Sequence, residues 1–246
     1  MQLAVISDIH GNCFALDQVL EDIRRQGIEQ IVCLGDAIQG GAQPAETAAR
    51  LRELNCPVVM GNADDWLLTG KVTSTQEKIS EQQRAVRTWV LGQLSNEDLA
   101  FIRQFQPTIE IPLEGGKKLL CFHGSPHSSD DILLPETPDE TFRQLLGGFN
   151  ANLLTGGHTH MQQLRRLGDA WYFNPGSVAL AYNWELSKEG NVVDPWADYA
   201  IVSSDGARLG ITFRHVPFDV SELARIIRAS GRPYAEELID SYRRGI

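Results

Sequence analysis

Short apolar runs alternate with amphipathic stretches through the first half of the chain. Residues 3–6 read as a strand, and Asn12 stands where it can cap a helix whose apolar positions Leu16, Val19, Leu20 and Ile23 share one face. Residues 31–34 form the next expected strand, 44–54 the next helix and 57–60 a third strand. Two longer helices are expected over about 79–94 and over 96–105, the second opened by Ser95 as its N-cap. Strand–helix alternation of this kind implies parallel strands joined by crossover helices.

The second half changes style. Strands over 108–113 and 117–122 flank Glu114-Gly115-Gly116, a hairpin signal, and further strands are expected at 153–155, 163–167, 171–173, 199–203 and 208–216. Gly168-Asp169 and Asp205-Gly206 mark turns between them. Asp219 or Ser221 can open a helix through Ile227, and Pro233 can sit in the first turn of another. No repeat, low-complexity tract or long linker divides the chain, so 1–246 reads as a single layered αβ domain. The least regular stretch, 181–197, reads as an inserted loop.

Composition narrows the function classes. Hydrophobic residues at 42% and charged residues at 22% are ordinary for a globular protein of 246 residues. With 22 Lys and Arg against 32 Asp and Glu, the net charge of −10 argues against an extended nucleic-acid surface or an anionic membrane as partner. A small anionic substrate met by a local positive site stays open. No apolar run is long enough to span a bilayer, and the opening MQLAVISDIHGN has neither a basic n-region nor a long apolar h-region, so a cytoplasmic location is expected. Cys13, Cys33, Cys56 and Cys121 lack metal-type spacing and read as reduced, mostly buried thiols. Oligomeric state is open, a homo-oligomer included.

The candidate chemistry sits where the apolar runs stop. Successive strand ends carry Asp8-Ile9-His10, Asp36, Asn62, His123-Gly124 and His158-Thr159-His160. Ligands of open αβ sheets bind outside the carboxyl ends of strands. The pairs Asp8/His10 and His158/His160 would point the same way if the backbone stayed extended. Seven such donors suit two metal ions, and imidazole, carboxylate and amide oxygen together favour Mn, Fe, Zn, Co or Ni. A shared Asp would hold the ions about 3.5–4 Å apart, the spacing of two-metal phosphate chemistry.

Asp8-Ile9-His10, Gly35-Asp36, Gly61-Asn62-Ala63-Asp64, His123-Gly124 and Gly157-His158-Thr159-His160 resemble the ordered motifs of calcineurin-like metallophosphoesterases. Asp8 through Asn12, Asn174-Pro175-Gly176-Ser177 and Val216-Pro217-Phe218-Asp219 are similar to the small bacterial and archaeal branch of that family. The resemblance implies a four-layer αββα sandwich of two mixed β-sheets. It also implies that Asp8, His10, Asp36 and His160 bind one ion, and Asp36 (bridging), Asn62, His123 and His158 the other. The activity implied is phosphoester hydrolysis by a hydroxide bridging two divalent metal ions, with Asp36 central to it.

Ala63 departs from the family pattern, where many relatives carry a His that helps the leaving group depart. General-acid help is worth about 10²–10⁴-fold, so its absence favours phosphodiesters or nucleotide-type substrates over simple alkyl monoesters. Asp64 is a candidate to replace it, or else a helix cap. Alternatives are a protein Ser/Thr phosphatase, a dinucleoside-polyphosphate hydrolase, or a non-catalytic scaffold on the same fold. The loop from Ala37 to Pro44 lacks both the aromatic pattern of the branch and the Asp-Arg-Gly of protein phosphatases. Asn12 serves equally as phosphate-orienting group or helix cap. Asn174 and Gly176 are site walls by resemblance and a tight turn by composition. His127 is a candidate substrate contact, Trp184 and Trp196 are candidates to stack on a base or to pack, and His215 reads as structural.

Overall fold

The computed structural model describes residues 1–71, 79–182 and 192–243. Among them are eight helices and nine strands, arranged as two mixed sheets. The first sheet has the order β2 (Gln30–Cys33), β1 (Gln2–Ile6), β8 (Trp196–Ser204), β9 (Leu209–Pro217). The second has the order β3 (Ile109–Pro112), β4 (Lys118–Cys121), β5 (Leu153–Thr155), β7 (Ala170–Pro175), β6 (Gln162–Leu167).

Side-chain alternation explains the layers. Leu3 and Val5 of β1, Ala200 and Val202 of β8, Leu119 and Cys121 of β4 and Leu153 of β5 share the core between the sheets. Their neighbours Ala4, Ile6, Tyr199 and Ile201 face outward onto α1 (Cys13–Arg25), α2 (Pro44–Leu54) and the helices that follow. On the other side Leu120, Phe122, Leu154 and Tyr172 meet Phe142 and Leu146 of α6 (Asp139–Leu146). The result is the expected αββα sandwich. Helices α7 (Val220–Ala229) and α8 (Ala235–Arg243) form a smaller cluster with Val193.

Local signals acted as expected at several ends. Asn12 Oδ1 accepts from the Ala15 N–H at 3.0 Å and caps α1. Ser95 makes a capping box with Asp98 at the start of α5 (Asn96–Ile102). Asp219 caps α7.

Other expectations need correction. The helix expected from 79 begins at Glu81, because Ser80 and Gln83 form a capping box that sets the start of α4 (Glu81–Gln93). Residues 57–60 make only isolated parallel bridges, Cys33 with Val58 and Val59 with Gln106. Helix α3 (Asn62–Thr69) was not anticipated: its apolar Trp66, Leu67 and Leu68 are contiguous rather than periodic, and Gly61 offers no side-chain cap. Helix α6 was also unforeseen, being short and opened by Pro138. Pro233 precedes α8 instead of entering its first turn, since Tyr234 has φ 58°. Of the expected insertion, 183–191, which includes Trp184, lies outside the described residues, while Tyr182 and Val193 bridge across its base. Among the described residues no helix is long and apolar enough to cross a membrane.

Candidate metal centre

Six of the seven sequence-predicted donors follow the carboxyl ends of strands that run parallel within their sheets, and the seventh, Asn62, follows a segment held by isolated parallel bridges. Asp8 and His10 follow β1, Asp36 follows β2, and Asn62 follows the bridged segment beside it. From the second sheet, His123 follows β4, and His158 and His160 follow β5. Two bonds tie the sheet edges together: His123 Nδ1 donates to Leu34 O at 2.9 Å, and the His158 N–H donates to Asp8 Oδ2 at 3.2 Å.

The backbone here is not extended. Asp8, His10, Asp36, His158 and His160 have φ of 54°, 45°, 49°, 68° and 59°, a region that non-glycine residues seldom occupy. The i, i+2 alternation expected for the two pairs is therefore replaced by tight left-handed turns. Each such residue costs about 1–3 kcal/mol, held by its surroundings and concentrated where the chemistry is. Close approach adds a further demand. A Cβ on Gly61 would stand 2.1 Å from Asp36 Oδ1, and one on Gly157 would stand 2.1 Å from Ser7 Oγ and 2.7 Å from Asp8 Oδ2.

Two triads result, Asp8/His10/His160 and Asp36/His123/His158, each with its donor atoms within 4.8 Å of one another. His10 Nδ1 donates to Gln39 O at 2.9 Å and His160 Nδ1 to Leu180 O at 3.1 Å. A carbonyl oxygen only accepts, so each ring carries its proton on Nδ1 and presents a lone pair on Nε2. Those two Nε2 atoms lie 3.1 Å apart. Facing lone pairs repel; a cation that takes both removes the conflict. His123 Nε2 likewise faces acceptors, Asn62 Oδ1 at 3.0 Å and Asp36 Oδ2 at 3.4 Å. Asp36 Oδ2 also lies 3.8 Å from His10 Nε2, so one oxygen serves both triads, while Oδ1 is held by the Ala63 N–H at 2.8 Å. The donor set therefore fits divalent metal ions.

Charge follows the same geometry. Burial opposes ionisation of Asp36, yet the charge and hydrogen bond of His123 prevail and hold its carboxyl far below the usual range. Asp8 is held low in the same way, with burial overcome by His160 and His123. Burial lowers His10, and burial with the nearby His123 lowers His158 to about 4, which keeps these rings in the neutral, ligating form. Burial also pulls His123 down, but the carboxylate of Asp36 outweighs it and raises the ring to about 10.

The remaining candidates fall around this centre. Asp64 is fully buried and does not cap α3; its two oxygens accept from the Ala37 and Ile38 N–H groups at 2.9 and 3.0 Å, bracing the loop that follows Asp36. Burial and the Asp36 charge raise its carboxyl to about 7. Asn12 commits its oxygen to the α1 cap and its amide to the Tyr242 hydroxyl at 3.4 Å. Asn174 is buried beneath the histidine loop, donating to Gly157 O at 2.7 Å and to Thr159 Oγ1 at 3.0 Å. Gly176 packs on Asp198. His127 is exposed and rests on Phe149, with ring centroids 5.3 Å apart. Trp196 packs on His215, which pairs with buried Asp198 at 2.6 Å. Gln39, Trp66 and Arg232 line the space beside His10 and escaped sequence reasoning, since no spacing or motif links them.

Residues 1–193 match the family model of the calcineurin-like phosphoesterase superfamily domain, and the chain belongs to that family of metal-dependent phosphoester hydrolases. Over 161 residues it is 35% identical to MJ0912 of Methanocaldococcus jannaschii, covering 65% of this chain and 62% of that protein, less than two thirds of its length. Over 196 residues it is 28% identical to phosphodiesterase YfcE of Escherichia coli K12, covering 73% of this chain and 80% of YfcE. In fold it is similar to the structure of PH1004 from Pyrococcus horikoshii OT3, with a TM-score of 0.81 at 20% identity over 98% of this chain and 97% of that one. The structure of a metallophosphoesterase from Sphaerobacter thermophilus gives a TM-score of 0.76 at 24% identity over 100% and 99% of the two chains.

Proposed function

We propose that this protein hydrolyses phosphoesters at a dinuclear metal centre, with phosphodiesters or nucleotide-type compounds as its substrates. The reading rests on one observation above all: the Nε2 lone pairs of His10 and His160 face each other at 3.1 Å with both Nδ1 atoms turned to carbonyl oxygens. We assign Asp8, His10 and His160 to one ion and Asn62, His123 and His158 to the other, with Asp36 serving both. Mn, Fe, Zn, Co and Ni all suit nitrogen and oxygen donors without thiolate.

Bound there, two divalent ions would supply Lewis acidity toward the phosphoryl oxygens and an activated water for in-line attack at phosphorus. Their charge exceeds that of Asp8 and Asp36, so the centre attracts a small anion although the chain as a whole carries −10. Ala63 borders the cavity at the start of α3 with no proton to donate, and Asp64 is turned away into the loop after Asp36. Leaving groups that depart without full protonation therefore suit the site.

The test is metal analysis followed by hydrolysis of bis(p-nitrophenyl) phosphate and p-nitrophenyl phosphate with added Mn²⁺. Two ions per chain and a preference for the diester are expected. A folded protein that takes up no metal and turns over neither ester would make it a binding scaffold instead, and a preference for the monoester would overturn the substrate reading.

A further inference from the structure

A cavity of about 250 Å³ opens beside His10, walled by Gln39, Gly40, Ala63, Trp66 and Arg232. Two of these walls carry polar groups that the fold uses only in part. Gln39 is only 5% exposed, and its side-chain oxygen Oε1 has no hydrogen-bond partner among the described residues. Its backbone oxygen is the one that anchors His10. An unpaired buried oxygen is costly, and an N–H or O–H group would satisfy it, while the amide nitrogen beside it is a donor suited to an anion.

Arg232 reaches the cavity from just before α8, beyond the part of the chain that matches the family model. Its Nε donates to Gly40 O at 2.6 Å, and Nη1 donates to Pro233 O and Tyr234 O at 2.8 and 2.9 Å. All three partners are neutral carbonyls. Burial pulls its pKa down to about 10, against smaller opposing effects of Tyr242 and Glu237. Glu237 borders an adjoining cavity that Arg232 also lines, and its charge acts on the guanidinium. Among the described lining residues, Lys71 and Arg232 stand against one carboxylate, Asp130. Gly40 lies between the two chemistries: a Cβ there would stand 3.6 Å from His10 Nδ1, and its carbonyl holds Arg232.

We propose that this cavity receives the organic substituent of the phosphoester and selects substituents bearing a second oxyanion, carboxylate or phosphate, held by Arg232 and the Gln39 amide. The proposal rests on the phosphoesterase reading above and adds its specificity. Arg232 Nη2, which takes no part in those three bonds, offers its N–H groups to either oxyanion, and Gln39 meets the same anion through its side-chain N–H₂, an amide oxygen being only an acceptor. Trp66 supplies an aromatic wall for the ring or chain between the two anionic ends.

The experiment uses matched diesters that all release p-nitrophenolate: p-nitrophenyl phosphates whose second substituent is phenyl, 4-carboxyphenyl or 4-phosphonooxyphenyl. The Mn²⁺-loaded protein should favour at least one charged ester over the phenyl ester by about tenfold in kcat/KM, and the two charged arms separate carboxylate from phosphate. Arg232→Gln should erase that preference, Arg232→Lys should retain part of it, and Gln39→Leu, which leaves every Arg232 anchor in place, should reduce it about threefold. Calorimetric binding of 4-phosphonobenzoate against phenylphosphonate reads the same selectivity without turnover. Equal rates for charged and phenyl esters, or equal losses on both in all three variants, would overturn the proposal while the phosphoesterase reading stands. A binding preference in a protein that hydrolyses none of the diesters would do the reverse.

Discussion

Replacing Asp64 by Asn tests whether the metal centre depends on a residue that never faces it. The side chain is fully buried, and both oxygens accept backbone N–H groups, from Ala37 at 2.9 Å and Ile38 at 3.0 Å. Asparagine keeps the shape but turns an NH₂ toward one of those donors. One hydrogen bond is lost and one buried N–H is left unpaired, and removing a charge that burial and Asp36 disfavour offsets part of this, for a net cost of about 2–3 kcal/mol. For a chain of this size that lowers the melting temperature by about 8 °C. The loop set free begins at Asp36 and includes the Gln39 carbonyl that orients His10, so metal affinity should fall about 10- to 100-fold. Thermal unfolding of the metal-free protein measures the first effect and calorimetric titration with Mn²⁺ the second. A variant with unaltered melting temperature and unaltered metal affinity would refute the reasoning.

Three further outcomes are expected. Asn174→Ala removes two donated bonds and one accepted from the Gly176 N–H beneath the histidine loop, costing about 2–4 kcal/mol and weakening metal uptake; denaturant unfolding and metal titration check it. Ala63→His supplies a proton donor where the cavity meets α3, so phenyl phosphate hydrolysis should rise about tenfold relative to p-nitrophenyl phosphate, and an unchanged ratio would count against the role given to Ala63. The Asp198–His215 pair governs one part of the pH dependence. Its hydrogen bond raises His215 above 6.5, while burial outweighs that bond and raises Asp198 to about 6. Both groups bind protons more tightly when folded, so stability falls as pH rises, first as Asp198 ionises and then as His215 loses its proton above 6.5. His215→Gln should flatten the upper part of that decline in melting temperature measured between about pH 6 and 8.5; an identical slope would exclude the pair as its source.

Much of this protein can be read along one dimension. The period of apolar residues located β1, α1, β2 and the β3–β4 hairpin, because alternation and helical spacing are local consequences of backbone geometry. Asn12, Ser95 and Asp219 announced helix starts because a cap bonds to N–H groups two or three residues ahead. The donors themselves were visible because strands end where polar residues begin. Their ordering brought the family resemblance with it.

What only the tertiary structure decided is how those donors meet. His10 and His160 are separated by 150 residues, and their facing lone pairs exist because two sheets pack face to face and their carbonyl partners dictate the tautomers. The left-handed backbone at five donors replaced the extended geometry that spacing suggested, since tight turns let neighbouring strand ends close on one point. Asp64 looked like a cap and became a brace, because its partners lie 26 and 27 residues away and no local rule reaches them. Arg232 joins Gly40 across 192 residues and carries no motif at all. Sequence determined which chemistry is present and where each strand delivers it; packing determined which lone pairs, charges and unpaired groups confront one another, because those distances arise only when the layers close.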